Sequence, residues 1–530
     1  PNQIIHLNQA DSSSKKLAAH KITPKKQSTS PLFKEVSSQL IIDSLKAAVE
    51  ITDMDDSPLM PYKKSTAKRA TASGDVNGDG LDDFYLGGLK WAPGLLFIQR
   101  AHGEFEQVAQ PVFQLDRKSV DTDAIFFDAN GDAHLDLYVV SGRNIAQASD
   151  GALEDRLYIN DGNGNFRKSS SALPGMSING GVVAAADMDG DGDTDLFVGG
   201  SSQPMRYGVP PRSYLLENDG DGFFTDVTPE LAPELERIGM INDAKWVNID
   251  SEKDQPELLL AGEWMPLTIF EFDGKKWKNR TNTYQLHTTG GLWQSLEIGD
   301  FNNDGRIDFA AGNFGTNSRM QADNDSPLRL YVDNFLGSSG SIPIVATLDD
   351  GRWTPIEPMD ELAQQLPGLH GQFKSYKNFS ASGLNDIFDK EELQSALKGE
   401  AVMLESALFL QTDRGTFTKT ELPFLAQITP IMAMQRGDFN RDGQLDLVIG
   451  GNINHVKPSY GGSQDAGRGL LLLGDGQSGF TAQSYSQSGY DTPGMVRSIH
   501  VLHTNEEKSR IVVTRYQSPP QLIKVLNHQN

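Results

Sequence analysis

Short apolar segments alternate with polar, glycine-rich turns along most of the chain. Around the acidic stretch 187–195, apolar residues 182–186 and 196–198 flank the turn, and runs of this length predict β-strands. A second pattern interleaves with the first: an apolar strand, a polar turn and Gly-x-Phe before the next strand, as in RLYINDGNGNFRK and LLLLGDGQSGFTAQ. Each unit therefore predicts two hairpins, which together make a four-stranded antiparallel sheet.

The acidic turn recurs five times as Asp-x-(Asn/Asp)-x-Asp-Gly-x-x-Asp, with Ala133 replacing the glycine once. Side-chain oxygens at positions 1, 3, 5 and 9 and a backbone carbonyl at position 7 suit Ca²⁺, which takes 6–8 oxygen ligands. An EF-hand is excluded, because position 12 of the third copy is Val198 and the flanks are strands. The predicted ligands are Asp75, Asn77, Asp79, Leu81 and Asp83; Asp128, Asn130, Asp132, His134 and Asp136; Asp187, Asp189, Asp191, Asp193 and Asp195; Asp300, Asn302, Asp304, Arg306 and Asp308; and Asp438, Asn440, Asp442, Gln444 and Asp446.

Two degenerate copies fill the gaps in this series. Residues 247–260 keep Asp250 and Asp254 but lack the glycine, and residues 499–514 keep the strand–turn–strand rhythm without the ligands. We expect neither to bind Ca²⁺ tightly. The chain then contains seven units.

Repeated four-stranded units at this period predict an all-β fold, a seven-bladed β-propeller with Ca²⁺-binding hairpin loops and a small helical insertion. Residues 32–36 are expected to complete the last sheet beside residues 520–525, which closes the ring and removes exposed sheet edges. The insertion, at about 315–404, holds a hairpin (328–348) and two amphipathic helical segments beginning at Asp360 and Asp389. If it supplies a blade, the count is eight. Residues 1–30 are interpreted as a linker or the tail of an upstream domain, and 31–530 as the propeller.

Composition narrows the classes of partner. The net charge of −24 argues against nucleic acid, and the absence of cysteine excludes disulfides and thiolate metal sites. No apolar run approaches the ~18 residues of a membrane span, so no direct membrane insertion is expected. Since the chain starts at Pro1, we interpret it as a processed segment or the later part of a longer protein.

Several stretches resemble a known family. FYLGG (84–88) and APG (92–94) resemble the FG-GAP/VCBS repeats of integrin α-subunit propellers and of many bacterial surface proteins. Three longer stretches are similar to the later half of bacterial VCBS proteins that carry an ASPIC/UnbV segment: GDVNGDGLDDFYLGG, LLLAGEWMPLTIF and LPFLAQITPIMAMQRGDFNRDGQLDLVIGGN. In such proteins, NQIIHLNQA would be the tail of the ASPIC/UnbV segment. The resemblance implies an exported protein, extracellular, on the cell surface or periplasmic, often within a larger assembly. It implies no defined reaction.

A ligand-binding face is predicted from polar and aromatic residues at or just after strand ends, because propellers gather such positions around the channel. Tryptophans there could stack on sugar rings, and the alternative is packing between blades. The candidates are Trp91, Trp246, Glu263, Trp264, Trp293, Asn313 and Asn317.

No catalytic residues are assigned, because the sequence holds no HExxH zinc helix, GxSxG elbow, P-loop or cysteine nucleophile. We therefore predict a non-catalytic extracellular module with about five structural Ca²⁺ ions, which binds a protein or glycan partner. Two alternatives stay open. One is a polysaccharide lyase or hydrolase that uses the propeller face, and the other is a purely structural subunit of an envelope complex.

Overall fold

The computed structural model of the protein describes residues 31–42, 53–101, 103–142, 151–250, 253, 255–338, 340–504 and 509–526. The chain divides into two units, Pro1–Ser30 and Pro31–Asn530. The first unit, with the predicted linker or tail, lies outside the described residues. Among the described residues no helix is both long and apolar enough to cross a membrane.

Within the described residues, thirty-four strands form eight sheets, seven of which belong to the repeat. In chain order the strands are β1 (Phe33–Glu35), β2 (Leu40–Ile41), β3 (Thr71–Gly74), β4 (Asp83–Leu86), β5 (Leu95–Gln99), β6 (Phe105–Val108), β7 (Asp121–Phe127), β8 (Asp136–Ser141), β9 (Arg156–Asn160), β10 (Phe166–Ser169), β11 (Asn179–Ala186), β12 (Asp195–Ser202), β13 (Tyr214–Asn218), β14 (Phe224–Asp226), β15 (Met240–Val247), β16 (Glu257–Met265), β17 (Thr268–Phe272), β18 (Trp277–Asn279), β19 (Gly291–Leu292), β20 (Ser295–Gly299), β21 (Asp308–Gly312), β22 (Leu328–Asp333), β23 (Ile342–Asp349), β24 (Arg352–Pro355), β25 (Leu397–Ala401), β26 (Ala407–Gln411), β27 (Phe417–Glu421), β28 (Ile431–Gly437), β29 (Asp446–Gly451), β30 (Leu470–Gly474), β31 (Phe480–Ser484), β32 (Val496–Leu502), β33 (Arg510–Arg515) and β34 (Ser518–Val525).

The repeat sheets are antiparallel and use consecutive strands: sheet 1 is β3–β6, sheet 2 β7–β10, sheet 3 β11–β14, sheet 4 β15–β18, and sheet 6 β28–β31. Sheet 5 is β20, β21, β26 and β27, and sheet 7 is β32, β33, β34 and β1. In sheet 7 the predicted closure is present, with Phe33 opposite Val525 and Glu35 opposite Ile523. Two short strands join these sheets: β2 runs parallel to the edge strand β6, and β19 pairs antiparallel with the end of the inner strand β16.

The first strands of the seven repeat sheets form a closed ring. Each packs against the first strand of the next sheet, in the order β3, β7, β11, β15, β20, β28, β32 and back to β3. Together they line a cavity of about 350 Å³, which we call the channel. The all-β propeller fold predicted from the repeats is therefore present.

Apolar clusters fill the interfaces between neighbouring sheets. Between sheets 4 and 5, for example, Leu259 and Ile269 of sheet 4 cluster with Phe309 and Phe409 of sheet 5, whose rings stack at a centroid distance of 4.9 Å. Strands such as β8 and β12 are buried along their whole length, because both faces of a sheet contact its neighbours. This explains why these strands read as continuous apolar runs.

The insertion leaves sheet 5 between β21 and β26. It contains a separate sheet, ordered β24-β23-β22-β25, whose strands lie outside the ring of first strands. The helical residues between Met359 and Ser395 pack on this sheet around an apolar core that includes Phe335, Leu362 and Phe388. The α-helices are α1 (Asp53–Asp56), α2 (Pro111–Leu115), α3 (Thr228–Leu231), α4 (Met359–Gln365), α5 (Leu369–Gln372), α6 (Tyr376–Ser380), α7 (Leu384–Ile387), α8 (Lys390–Ser395) and α9 (Tyr485–Ser488).

Candidate metal centres and ligand face

The five acidic loops join the first and second strands of sheets 1, 2, 3, 5 and 6 and share one backbone conformation. Position 6 has a left-handed φ in every copy, from 66° at Ala133 to 100° at Gly192. Position 4 is also left-handed, including Asn303 and Arg441. The copy without a glycine therefore keeps the same turn, at the steric cost of a Cβ in this region.

The aspartate at position 1 holds each loop together. In the first copy Asp75 Oδ1 accepts the amide hydrogens of Gly78 (2.8 Å) and Asp79 (3.1 Å), and Oδ2 accepts that of Gly80 (2.7 Å). The loop thus curls around one carboxylate, and the side chains at positions 3 and 5 are brought beside it. Asp128, Asp187, Asp300 and Asp438 accept equivalent bonds.

The aspartate at position 9 is buried and joins the loop to the third strand of its sheet by hydrogen bonds. Asp83 Oδ2 accepts the amide of Val76 (3.2 Å) and Oδ1 that of Gln99 (2.8 Å). Burial raises the pKa of the position 9 carboxyl to about 7 in Asp83 and Asp195. The same effect raises the pKa to about 6 in the copies with Asp136, Asp308 and Asp446.

Carboxylates crowd most closely in the third loop. Oxygens of Asp187, Asp189 and Asp195 lie within 4.8 Å of one another. Burial, followed by the charge of Asp191, raises the pKa of Asp193 to about 6. The pKa of Glu217 on β13 is also raised, by burial and then by Asp189 and Asp191. A cation among these oxygens would relieve the repulsion.

The degenerate hairpin of sheet 4 contains a lysine ammonium in the corresponding region. Lys253 Nζ lies 3.0 Å from Glu271 Oε2, 3.6 Å from Asp250 Oδ2 and 3.7 Å from Glu257 Oε1. Glu257 replaces the position 9 aspartate, since its Oε2 accepts the amide of Ile249 at 2.8 Å. A tethered cation therefore balances the carboxylates here. Asp254, and residues 505–508 of the other degenerate copy, lie outside the described residues.

Lys253→Met is expected to destabilise the protein by about 1–3 kcal/mol, because it leaves the buried Glu257 carboxylate without its partly exposed cation. Because the cation is part of the chain, the loss should be the same with Ca²⁺ and with a chelator. Urea denaturation under both conditions measures it. A loss that Ca²⁺ reverses would contradict the assignment of Lys253 as the cation of this hairpin.

Amide side chains at the ends of third strands join neighbouring sheets. Asn160 Nδ2 donates to Val76 O (2.8 Å) in the preceding loop, and Asn218 Nδ2 donates to Ala129 O (3.0 Å). Gln411 Nε2 donates to Ile249 O, and Gln99 Nε2 donates to His503 O, both at 3.0 Å. Sequence reasoning missed these residues, although the recurring strand ends FIQ, YIN, LEN and FLQ were a signal.

Asn218→Ala should destabilise the protein by about 1–3 kcal/mol, since it leaves the carbonyls of Ala129 and Thr194 without their side-chain donor. Asn165→Ala is the matched control, because Asn165 is exposed and bonds only within its own hairpin. Urea denaturation of both variants checks this. Equal losses would contradict a role for Asn218 in joining the sheets.

The predicted ligand-face residues do not form one group. Trp293 and Asn313 are fully buried and bond to protein carbonyls, through Trp293 Nε1 to Thr289 O and Asn313 Nδ2 to Met403 O. Trp246 is half-buried between sheets 3 and 4, at 5.2 Å from the Trp277 ring. Trp91 is 47% exposed, with a left-handed φ of 66°. Exposed Asn317 donates to Ile428 O at 3.2 Å.

Glu263 and Trp264, consecutive residues of β16, lie at the end of the channel opposite the acidic loops and share Tyr207 as a hydrogen-bond partner. Tyr207 OH donates to Glu263 Oε2 and accepts from Trp264 Nε1, both at 2.8 Å. Lys64 Nζ donates to Glu263 Oε1 at 2.5 Å. All four side chains are buried.

Residues 57–67, which we call the cap segment, lie over this end of the channel. Met60 and Tyr62 are fully buried in an apolar cluster shared with Leu328 and Leu330 of the insertion. Tyr62 pairs with Val456 in an isolated bridge. The part of the predicted ligand face around Glu263 and Trp264 is therefore covered by the chain's own cap segment and insertion.

The channel itself carries charges of both signs. Asp243 Oδ2 accepts the amide of Leu296 (2.7 Å), and Lys245 Nζ lies 3.7 Å from Asp243 Oδ1. Burial raises the pKa of Glu297 to about 7 and lowers that of His500 to about 4. Asp243 thus joins sheet 4 to sheet 5, and His500 Nδ1, 3.3 Å from Ser73 Oγ, joins sheet 7 to sheet 1.

Comparisons with known proteins agree with the repeat. Residues 75–139 and 143–198 match the FG-GAP-like repeat family, so the predicted FG-GAP repeats are confirmed in these stretches. No curated protein matches the sequence.

Similar solved structures include the biofilm matrix protein Bap1 of V. cholerae, at 10% identity and a TM-score of 0.38 over 94% of this chain and 91% of that one. Saccharomyces cerevisiae Sqt1 has 10% identity and a TM-score of 0.39 over 89% and 99%. YCF48 bound to D1 peptide has 10% identity and a TM-score of 0.37 over 91% and 99%.

Proposed function

We propose that this chain is a seven-bladed β-propeller that binds Ca²⁺ in five inner hairpins and acts as a non-catalytic binding module for a protein partner. The seven repeat sheets would be the blades, and the eighth sheet an insertion. Its place would be outside the cytoplasm, on the cell surface or in the periplasm, within a larger assembly. The bacterial VCBS and ASPIC/UnbV resemblance supports this location.

One observation carries the metal assignment: where the oxygen ligands are degenerate, in sheet 4, a lysine ammonium lies among the carboxylates. The five intact loops have the same strand context and carry side-chain oxygens suited to a hard cation at positions 1, 3, 5 and 9. In the fourth loop the Arg306 guanidinium also lies 2.5 Å from Asp304 Oδ2. The side chains at positions 1, 3 and 5 and the carbonyl at position 7 would hold the ion, with the position 9 aspartate beside it. The ions would neutralise the loops and close the inner hairpins, which makes folding depend on metal.

Burial of the aromatic candidates favours a protein partner over a glycan. Stacking on a sugar ring requires an exposed aromatic face. Of the four predicted tryptophans, Trp264 and Trp293 are buried and Trp246 packs between sheets, which leaves Trp91 exposed. Phe424 is 78% exposed and its neighbour Leu425 41% exposed, and aromatic side chains are enriched at the centres of protein interfaces.

The test immobilises the chain with Ca²⁺ or with a chelator, and applies cell-envelope extract to one set of surfaces and a glycan array to another. We expect one protein to be retained at stoichiometric level only with Ca²⁺, and no retained glycan. Phe424→Ser and Trp91→Ala, tested in parallel, locate the contact. A glycan whose retention Trp91→Ala abolishes would favour the carbohydrate alternative, and polysaccharide turnover would contradict the non-catalytic proposal.

A further inference from the structure

The Glu263 pocket is built by the propeller and filled by the cap segment. Tyr207 follows the second strand of sheet 3, and Asn242, Glu263 and Trp264 lie on β15 and β16 of sheet 4. The ammonium among them, Lys64, comes from the cap segment, 199 residues from Glu263 in the chain. In their burial and composition these groups resemble a receptor with a bound lysine side chain.

The pocket orients its carboxylate without help from Lys64. Tyr207 OH donates to Glu263 Oε2 at 2.8 Å, and Asn242 Nδ2 donates to Glu263 Oε1 at 3.2 Å. Asn242 is itself fixed, because its Nδ2 also donates to Trp293 O at 2.8 Å. The amide oxygen of Asn242 is left to accept a hydrogen bond from the ammonium, and it accepts one from Lys64 Nζ at 3.2 Å.

Two further features fit a cation site. Trp264 has a left-handed φ of 61°, a strained conformation for a bulky residue, and strain of this kind is concentrated at ligand sites. Burial would raise the pKa of Glu263, but the charge of Lys64 and hydrogen bonds from Lys64, Tyr62 and Tyr207 hold it below its ordinary value. The lowered pKa of Glu263 thus belongs to the site as Lys64 occupies it, with side chains only 1% (Lys64) and 0% (Glu263) exposed.

We propose that Glu263, Asn242 and Tyr207 form a binding site for a primary alkylammonium group, occupied intramolecularly by Lys64. The external ligand class that fits it is a lysine side chain or another unbranched alkylamine, which would enter when the cap segment is displaced. This inference does not depend on the calcium or partner assignments.

Lys64→Ala should open the site. It removes three methylene groups and the ammonium, which are the atoms of n-propylammonium. We expect n-propylammonium to raise the thermal midpoint of Lys64→Ala in a saturable manner and to leave Lys168→Ala unchanged. Lys168 is the matched control, because it pairs with Asp116 at 2.7 Å but is 37% exposed.

The selectivity for different ligands distinguishes a specific alkylammonium site from an unspecific cavity left by the substitution. Methylammonium should bind Lys64→Ala about tenfold more weakly, since it buries two fewer methylene groups. Neutral n-propanol should have no saturable effect. In Lys64→Ala/Glu263→Gln the preference for n-propylammonium over n-propanol should be lost. Equal midpoint shifts in Lys64→Ala and Lys168→Ala, or equal effects of the amine and the alcohol, would overturn the proposal.

Poor folding of Lys64→Ala also gives a decisive result. The refolding yield is then measured after dilution from urea with n-propylammonium, n-propanol or neither. Recovery with the amine alone supports the site, because the ligand replaces the missing side chain. Recovery with neither compound, or with both equally, contradicts it.

Discussion

Removal of Ca²⁺ is expected to lower the thermal unfolding midpoint of the chain strongly, and elemental analysis of the purified protein should find about five Ca²⁺ ions. Each site that binds the folded state alone stabilises it by about 2.7 kcal/mol when free Ca²⁺ is one hundredfold above its Kd. Several such sites together make this the largest effect we predict. The physical cause is local, because each loop gathers carboxylates that repel one another without a cation.

A pair of variants separates the loss of a metal ligand from the loss of an exposed negative charge. Asp191→Asn changes position 5 of the third loop, and Asp221→Asn removes an exposed aspartate from the neighbouring outer hairpin. With Ca²⁺ present, Asp191→Asn should cost about one site's binding energy and Asp221→Asn almost nothing. In chelator, the loss at Asp191 should disappear or reverse, because the substitution also removes a repelling charge.

Calorimetry across a range of free Ca²⁺ concentrations provides the measurement. Midpoints that do not depend on Ca²⁺, or identical behaviour of the two variants, would contradict the assignment of these loops as metal sites. Replacing Ca²⁺ by Mg²⁺ is a further control, because Mg²⁺ requires near-octahedral geometry and dehydrates reluctantly.

Glu263→Gln is expected to destabilise the protein by about 3–5 kcal/mol, the usual loss when one partner of a buried ion pair is removed. The cause is Lys64, whose ammonium would stay buried without a counter-charge. Glu400→Gln is the matched control. Its ion pair with Arg329 has the same 2.5 Å separation, but its side chains are 44% and 29% exposed, so the loss should be below about 1 kcal/mol.

A double variant tests the cause. Lys64→Met/Glu263→Gln removes both charges and keeps the volume, so it should recover much of the stability lost in Glu263→Gln. Urea denaturation of the two single variants and the double variant yields the coupling energy between the two sites. A coupling energy near zero would contradict the ion pair as the source of the loss.

The sheets and acidic loops were predictable because their determinants are local. An aspartate that accepts amides three to five residues later, and a turn with left-handed φ at a fixed position, depend only on spacing within nine residues. The closing strand β1 was predictable for a related reason, since β34 lacked a fourth strand beside it. The site of the insertion could be inferred from the long interval in an otherwise regular period.

The ligand face could not be predicted from strand ends alone. Trp293 and Asn313, like Trp91, were selected because they lie at or just after strand ends. Trp293 and Asn313 are nevertheless buried, whereas Trp91 is exposed. The difference arises because Trp293 lies in the apolar cluster between sheets 4 and 5, with its ring 6.0 Å from that of Phe409, and Asn313 donates to Met403 O. No residue near Trp293 in the chain specifies those neighbours.

The sequence by itself therefore determined the repeated sheets, the acidic hairpin loops and the closure of the ring, because each follows from periodicity and short-range hydrogen bonding. Only the tertiary structure decided that Lys64 would meet Glu263, that Lys253 would lie among three carboxylates, and that amides such as Asn218 would join neighbouring sheets. Such contacts depend on where long-range packing places single side chains. The energy of each contact depends on how deeply those side chains are buried, and no local sequence pattern encodes that burial.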